Sequence, residues 1–212
     1  MTEPEDAATV FIIDDDASTR ESLKWFLQTV GFAAETFDSA KAFLSSFSLA
    51  KPGCIVLDVR MPHISGLELQ DRLNAEPYVP PILMISGHSD VPVAVRAIRN
   101  GAFDFIEKPV GDSVLLERIR KAIAIDRERR AEHAIQNQFR RRFAQLSDRE
   151  RQVFEIVVTG KSNKAIGEQL GLSSKTIETH RAQVMNKMQA PHLADLVRIA
   201  VALGITKTDP SA

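Results

Sequence analysis

Five side chains able to do chemistry stand at the ends of short apolar runs: the carboxylates Asp14, Asp15 and Asp58, the hydroxyl of Ser86 and the ammonium of Lys108. The runs are Ala8 to Ile13, Gly53 to Leu57, Pro81 to Ile85 and Phe103 to Ile106, rich in β-branched and apolar residues as strands are. If the strands lie parallel in one sheet, their carboxyl ends share an edge and the five groups converge. Carboxylates crowded in this way repel, and a hard divalent cation with oxygen ligands relieves them. The lysine adds a point charge for an oxyanion such as a phosphoryl group. The chemistry this combination suits is phosphoryl transfer with an aspartate as nucleophile.

The elements that must position these groups alternate. After Asp14 to Asp16, the stretch Ala17 to Thr29 places Leu23, Phe26, Leu27 and then Val30 at helical spacing; Asp16 can cap its start and Gly31 can end it. Phe32 to Phe37 reads as a strand, Ser39 to Phe47 as a short helix, and Gly66 to Leu73 and Val91 to Asn100 as further helices. A last helix starts near Asp112. Strand and helix in alternation predict a parallel doubly wound α/β sheet, whose ligands bind at the carboxyl ends of the strands.

The segments Phe11-Ile-Ile-Asp14-Asp15-Asp16, Leu57-Asp58-Val-Arg60-Met-Pro62, Ile85-Ser86-Gly-His88 and Phe105-Ile-Glu-Lys108-Pro109 resemble, in order and spacing, the receiver domain of two-component response regulators. The resemblance covers about residues 8 to 125 and implies a flavodoxin-like fold of five parallel strands. It implies that Asp58 accepts the phosphoryl group, that Asp15, Asp58 and the Arg60 backbone carbonyl bind Mg²⁺, and that Asp14 holds the ion through water. Ser86 and Lys108 would contact the phosphoryl oxygens. Phe105 matches the aromatic position whose rotamer follows phosphorylation. Ser86 stands where threonine is frequent but keeps the hydroxyl, and Phe105 stands where tyrosine is frequent, so it must switch by packing alone. Arg60 and His88 flank the phosphoryl position. A haloacid dehalogenase type of hydrolase shares the aspartate nucleophile but needs a second aspartate two residues on as general acid and base; here that position is Arg60.

Charge divides the chain. To Ile125 there are 18 acidic and 12 basic residues; from Asp126 onward there are 10 and 15. A basic C-terminal part points to nucleic acid. The single Cys54 lies in an apolar strand run and excludes an internal disulfide framework. The acidic Met1 to Asp6 has no signal-peptide character, and no apolar stretch nears the roughly 20 residues of a membrane span, so the expected location is the cytoplasm. The five histidines show no zinc-ligand spacing.

From Asp112 to Arg142 no Gly or Pro interrupts the chain, which predicts that the last helix continues outward as a linker. Coiled-coil pairing over so few heptads stays open. Leu146-Ser147-Asp-Arg-Glu150 reads as a capping box starting a helix to Val158. Further helices are expected over Asn163 to Leu170, Ser174 to Met188 and His192 to Leu203, with a tight turn at Gly171-Leu172-Ser173. Two helices about a short glycine turn on a basic module make a helix-turn-helix.

With Gly160-Lys-Ser-Asn-Lys-Ala-Ile166, Leu172-Ser-Ser-Lys-Thr-Ile177 and His180-Arg181, this part resembles the LuxR-type helix-turn-helix over about residues 144 to 205. The whole chain then resembles the NarL/FixJ class, nearer the FixJ side. The expected division is 1 to 125 receiver, 126 to 143 helical linker, and 144 to 212 an all-α, four-helix DNA-binding domain. Ile177, Val184 and Met188 should be core, leaving the other face of the third helix to the major groove. The resemblance makes Glu178, Thr179 and Ala182 the best base-contacting positions with Gln183 on the same face, and puts Lys175, Thr176, Arg181 and Lys187 nearer phosphates.

The class implies a transcription regulator rather than an ordinary enzyme, although a receiver catalyses its own phosphoryl transfer and autodephosphorylation. Its partners would be a sensor histidine kinase, double-stranded promoter DNA, a second copy of the chain when phosphorylated, and RNA polymerase; none is a membrane. Activation by dimerisation through the fourth and fifth receiver helices competes with release of a covered recognition helix. A pure docking module would have lost an acidic residue or Lys108, and none is lost.

Overall fold

The computed structural model describes residues 8–46, 51–87 and 91–205. The chain forms two compact units, one to Ala131 and one from Glu132. In the first, β1 (Thr9–Ile13), β2 (Ala33–Phe37), β3 (Gly53–Asp58), β4 (Ile82–Ser86) and β5 (Asp104–Glu107) build one parallel sheet of order β2-β1-β3-β4-β5. The intervening helices are α1 (Ala17–Thr29), α2 (Ala40–Ser46), α3 (Gly66–Leu73), α4 (Val91–Arg99) and α5 (Asp112–Ala144). The expected α/β alternation is therefore present, as a doubly wound sheet.

Every residue of β1, β3 and β4 is buried, which is why their sequences are continuous apolar runs. Alternate residues feed two cores. Phe11, Ile13, Ile55, Leu57, Ile82 and Met84 pack with residues of α2, α3 and α4 on one face. Val10, Ile12, Cys54, Val56, Leu83 and Ile85 pack with Leu27 of α1 and Leu115 and Ile119 of α5 on the other. Cys54 is a free, buried thiol pushed up by its burial.

Several boundaries follow from local chemistry. Asp16 caps α1 by accepting from the Ser18 and Thr19 amides, and Gly31 lies at φ 91°, a left-handed conformation suited to glycine. The second helix starts at Ala40, one residue later than expected, because the Ser39 hydroxyl sits outside it and accepts from the Ala42 amide. Phe47 and His88 lie outside the described residues.

The second unit contains the end of α5 followed by α6 (Asp148–Val157), α7 (Asn163–Leu170), α8 (Ser174–Met188) and α9 (Leu193–Ala202). Both halves of the Ser147 and Glu150 capping box are made. Val153, Phe154, Ile166, Ile177, Val184, Met188, Leu196 and Ile199 form its core. Between α7 and α8, Gly171 takes a left-handed conformation with φ 67°, and Ser173 caps α8. Among the described residues no helix is long and apolar enough to cross a membrane.

Candidate functional site

The order β2-β1-β3 reverses direction between β1 and β3, and this reversal opens a crevice at the carboxyl ends of the strands. Register decides what enters it. Ile13 pairs with Leu57, so the next residues, Asp14 and Asp58, emerge side by side. Ser86, the last residue of β4, pairs with Glu107, and its carbonyl accepts from the Lys108 amide at 2.8 Å. The Lys108 ammonium then reaches back across the sheet end, donating to Asp58 Oδ1 at 2.6 Å and Asp14 Oδ2 at 2.7 Å. Residues 94 and 50 positions apart in sequence thus meet at one nitrogen.

Asp14 and Asp58 are 4% and 6% exposed, and Ser86 is 2% exposed. Burial pushes the Asp58 carboxyl above its ordinary value, and the neighbouring Asp14 charge adds to that, against the opposing hydrogen bond and charge of Lys108 and the Arg60 amide. Burial also works against the Lys108 ammonium, but its bonds to Asp14 and Asp58 outweigh this and hold it above the ordinary lysine value. One ammonium therefore serves two buried carboxylates. The Arg60 amide donates to Asp58 Oδ2 at 2.7 Å, and Arg60 itself is exposed. Asp15, the next residue after Asp14, is exposed. Phe105 is half-buried against the core of one sheet face.

Among the described residues no three His, Cys, Asp or Glu side chains are gathered as a metal cage. The donor set still fits a hard cation. Asp14 and Asp58, both buried, share one ammonium, and the exposed Asp15 follows Asp14 directly in the chain, which leaves carboxylate oxygens in excess of positive charge.

Gly66 is a residue whose role the spacing of motifs does not disclose. A Cβ there would lie 2.2 Å from the Asp58 carbonyl oxygen, and the Gly66 amide donates to the Val59 carbonyl at 3.0 Å. Glycine lets the start of α3 close on the backbone that carries Asp58. Its signal in the sequence is weak, a glycine following Ser65, which forms a capping box with Glu68.

In the second unit, Ile177, Val184 and Met188 are buried, while Lys175, Glu178, Thr179, Ala182 and Gln183 are exposed and Thr176, Arg181 and Lys187 are half-buried. The polar face is partly self-paired. Lys175 meets Glu178 at 3.2 Å, and Arg181 donates to Asn163 Oδ1 of α7 at 3.1 Å. The half-buried Lys187 ammonium, expected near phosphates, donates to Glu150 at 2.6 Å and to the Gln145 carbonyl at 3.3 Å.

A doubly wound domain with paired strand-end aspartates on one lysine, followed by a helix-turn-helix, defines a response regulator. Two family models match: the response regulator receiver domain over residues 10–120, and the bacterial regulatory proteins of the luxR family over residues 144–200. The chain belongs to this family of phosphorylation-dependent transcription regulators. It is 44% identical to the transcriptional regulatory protein FixJ of Bradyrhizobium diazoefficiens, over 92% of this chain and 96% of that protein. It is 38% identical to the response regulator protein TodT of Pseudomonas putida, over 93% and 87%. Among solved structures, the response regulator StyR matches 92% of this chain and 98% of its own with 40% identity and a TM-score of 0.78. Full-length FixJ from B. japonicum matches 97% and 100% with 42% identity and a TM-score of 0.57. Membership implies a histidine kinase and DNA as partners.

Proposed function

We propose that Asp58 is the residue phosphorylated. The observation that carries this is the meeting of Asp58 and Asp14 on the Lys108 ammonium. An Asp58 oxygen attacks the phosphorus of a kinase phosphohistidine; the new O–P bond forms as the N–P bond breaks, and the imidazole nitrogen leaves with the electron pair. Asp58 enters as a carboxylate, which burial disfavours, so the site needs cationic help. Lys108 supplies one charge and can follow the phosphoryl oxygens without releasing Asp14. Asp15, Asp58 and the Arg60 carbonyl would hold Mg²⁺, with Asp14 acting through water. When bound, the ion offsets charge that develops on the transferring oxygens. The Ser86 hydroxyl stands at the end of the adjacent strand to contact the same group, and Phe105 follows by repacking. Loss of the group to water at the same site would make the switch reversible.

The proposed consequence is a homodimer. On α4, Val91, Val95 and Ile98 are 70%, 42% and 46% exposed, a run of apolar side chains unusual for a surface that stays in water. Dimers would offer two α8 helices to promoter half-sites about one helical turn apart. Glu178, Thr179, Ala182 and Gln183 would read base edges; Lys175, Thr176 and Arg181 would position the phosphate backbone. The dimer on a promoter would then present its surface to RNA polymerase. Such a regulator would work in the cytoplasm.

The test is the mass in solution and the DNA affinity of the full chain, with and without beryllofluoride and Mg²⁺. Dimerisation with tighter DNA binding is expected. A loaded protein that stays monomeric and gains affinity would favour uncovering of α8, and one that gains neither would remove the switch.

A further inference from the structure

The helix α5 turns its buried residues inward at Leu115, Ile119, Ala122, Ile123 and Asp126. The first four continue an apolar stripe. The fifth position of that stripe is a carboxylate with no exposure at all. A charge so placed is tolerated only when its oxygens are fully engaged, and Asp126 is. Its Oδ2 accepts from the Gly53 amide at 2.9 Å and from Arg130 Nε at 2.7 Å, while Tyr78 Oη donates to Oδ1 at 2.6 Å. Arg130, one helical turn on, donates to the Lys51 carbonyl at 2.5 Å and lies over the Tyr78 ring, 4.8 Å from its centre.

The partners come from particular places. Gly53 opens β3, the strand that ends at Asp58, and Tyr78 lies just before β4, the strand that ends at Ser86. Gly53 is also held closely, since a Cβ there would lie 1.8 Å from the Thr9 carbonyl oxygen. The cluster thus grips the amino ends of the two strands whose carboxyl ends carry the phosphorylation chemistry. Beyond Asp126 the next three residues, Arg127 to Arg129, bury no side chain.

We propose that Asp126, with Tyr78 and Arg130, is a releasable anchor for the last receiver turns of α5, coupled through β3 and β4 to the occupancy of Asp58. An apolar residue at the stripe position would loosen gradually when its neighbours shift. A buried carboxylate is different: losing the Gly53 amide or Tyr78 leaves one of its oxygens short of a donor while Arg130, on the same helix, stays paired to it, and the favourable response is for the pair to move together into water. Closed and open are therefore two discrete states. The anchor is closed in the state in which Lys108 holds Asp58 and Asp14; in this proposal, loading Asp58 draws Lys108 to the phosphoryl oxygens, and the resulting shift of β3 and β4 opens it. This rests on Asp58 being the phosphoacceptor.

Hydrogen–deuterium exchange on the full-length protein tests it, with beryllofluoride and Mg²⁺ as the probe and ¹⁹F resonance of bound beryllofluoride reporting loading. Amides of residues 124 to 131 should exchange about tenfold faster in the loaded protein. Asp126→Leu, which completes the apolar stripe, should load equally but show no such increase. Tyr78→Phe should exchange faster even before loading. Loading with unchanged or slower exchange at 124 to 131, or an unaltered response in Asp126→Leu, overturns the anchor alone. Failure to load overturns the phosphoacceptor assignment and the coupling with it.

Discussion

Lys187, near the end of the recognition helix, is held by Glu150, the residue that closes the capping box of α6, at 2.6 Å. Glu150 is 3% exposed and also accepts from the Ser147 amide. The bond to Lys187, helped by Ser147, holds the Glu150 carboxyl below its ordinary value of 4.5 against the opposing effect of burial. One carboxylate thus caps α6 and pins α8 across the domain. A lysine that family position puts near phosphates also makes an ion pair within the domain, its side chain 38% exposed.

Replacing Lys187 with Met should therefore cost stability more than it changes the salt dependence of DNA binding. The expected loss is about 1–3 kcal/mol, below the 3–5 kcal/mol of a fully enclosed pair because the lysine is more than a third exposed. Because the folded pKa of Glu150 is lowered, its contribution is present above 4.5 and fades as pH falls below it through the folded value. Denaturant melts at neutral and acid pH should show the gap between parent and Lys187→Met narrowing in acid. A gap that widens there reverses the assignment.

Asp58→Asn should abolish phosphate incorporation from acetyl phosphate. It should also leave stability unchanged or raised. The folded Asp58 carboxyl is raised above its ordinary value, so protonation stabilises the fold at low pH and that gain is lost as pH rises through the folded value. Asparagine removes the charge at nearly constant shape. Undiminished labelling of the folded variant would sink the assignment.

Asp15→Ala should lose Mg²⁺ binding by at least about tenfold, since a hard cation prefers a carboxylate and Asp14 is already committed to Lys108. Calorimetric titration reads this directly. Trp25 offers a second signal in α1, although it is 71% exposed. Equal affinity in the variant would make Asp15 an ordinary turn residue.

On DNA, Glu178→Ala should relax sequence preference, because an acidic residue facing a polyanion is favourable only when it accepts from a base such as cytosine. Lys175→Ala should weaken all sequences alike and lower the salt slope by about one. The two also pair with each other, so the double variant should fall short of the sum. Equal losses on cognate and random DNA for both would take Glu178 out of the reading set.

Gly66→Ala forces a methyl group toward the Asp58 carbonyl, and backbone has little room to yield. The expected cost is about 1–3 kcal/mol, with slower phosphorylation of Asp58 from acetyl phosphate as α3 and the acceptor loop separate. A variant with parental stability and rate would show that the contact relaxes freely.

Much of this protein is local enough to be written in its sequence. Apolar runs set the strands because both faces of β1, β3 and β4 are covered. Asp16, Gly31, Ser147 with Glu150, and Gly171 set helix ends because caps and left-handed turns depend on residues a few positions apart. The strand-end positions of Asp14, Asp58, Ser86 and Lys108 follow from the same pattern. What needed the tertiary structure are the contacts made across large separations. That Lys108 bridges Asp14 and Asp58 depends on strand order and register. That Gly66 must lack a side chain depends on how α3 closes on β3. The duties of Lys187 and Asp126 were hidden for a further reason: on composition each is a surface charge, and only the burial of Glu150 and of Asp126 itself makes its partner essential. Periodicity tells which face a residue occupies. The burial of a charge, and who answers it, is decided by elements that meet only when the chain has folded.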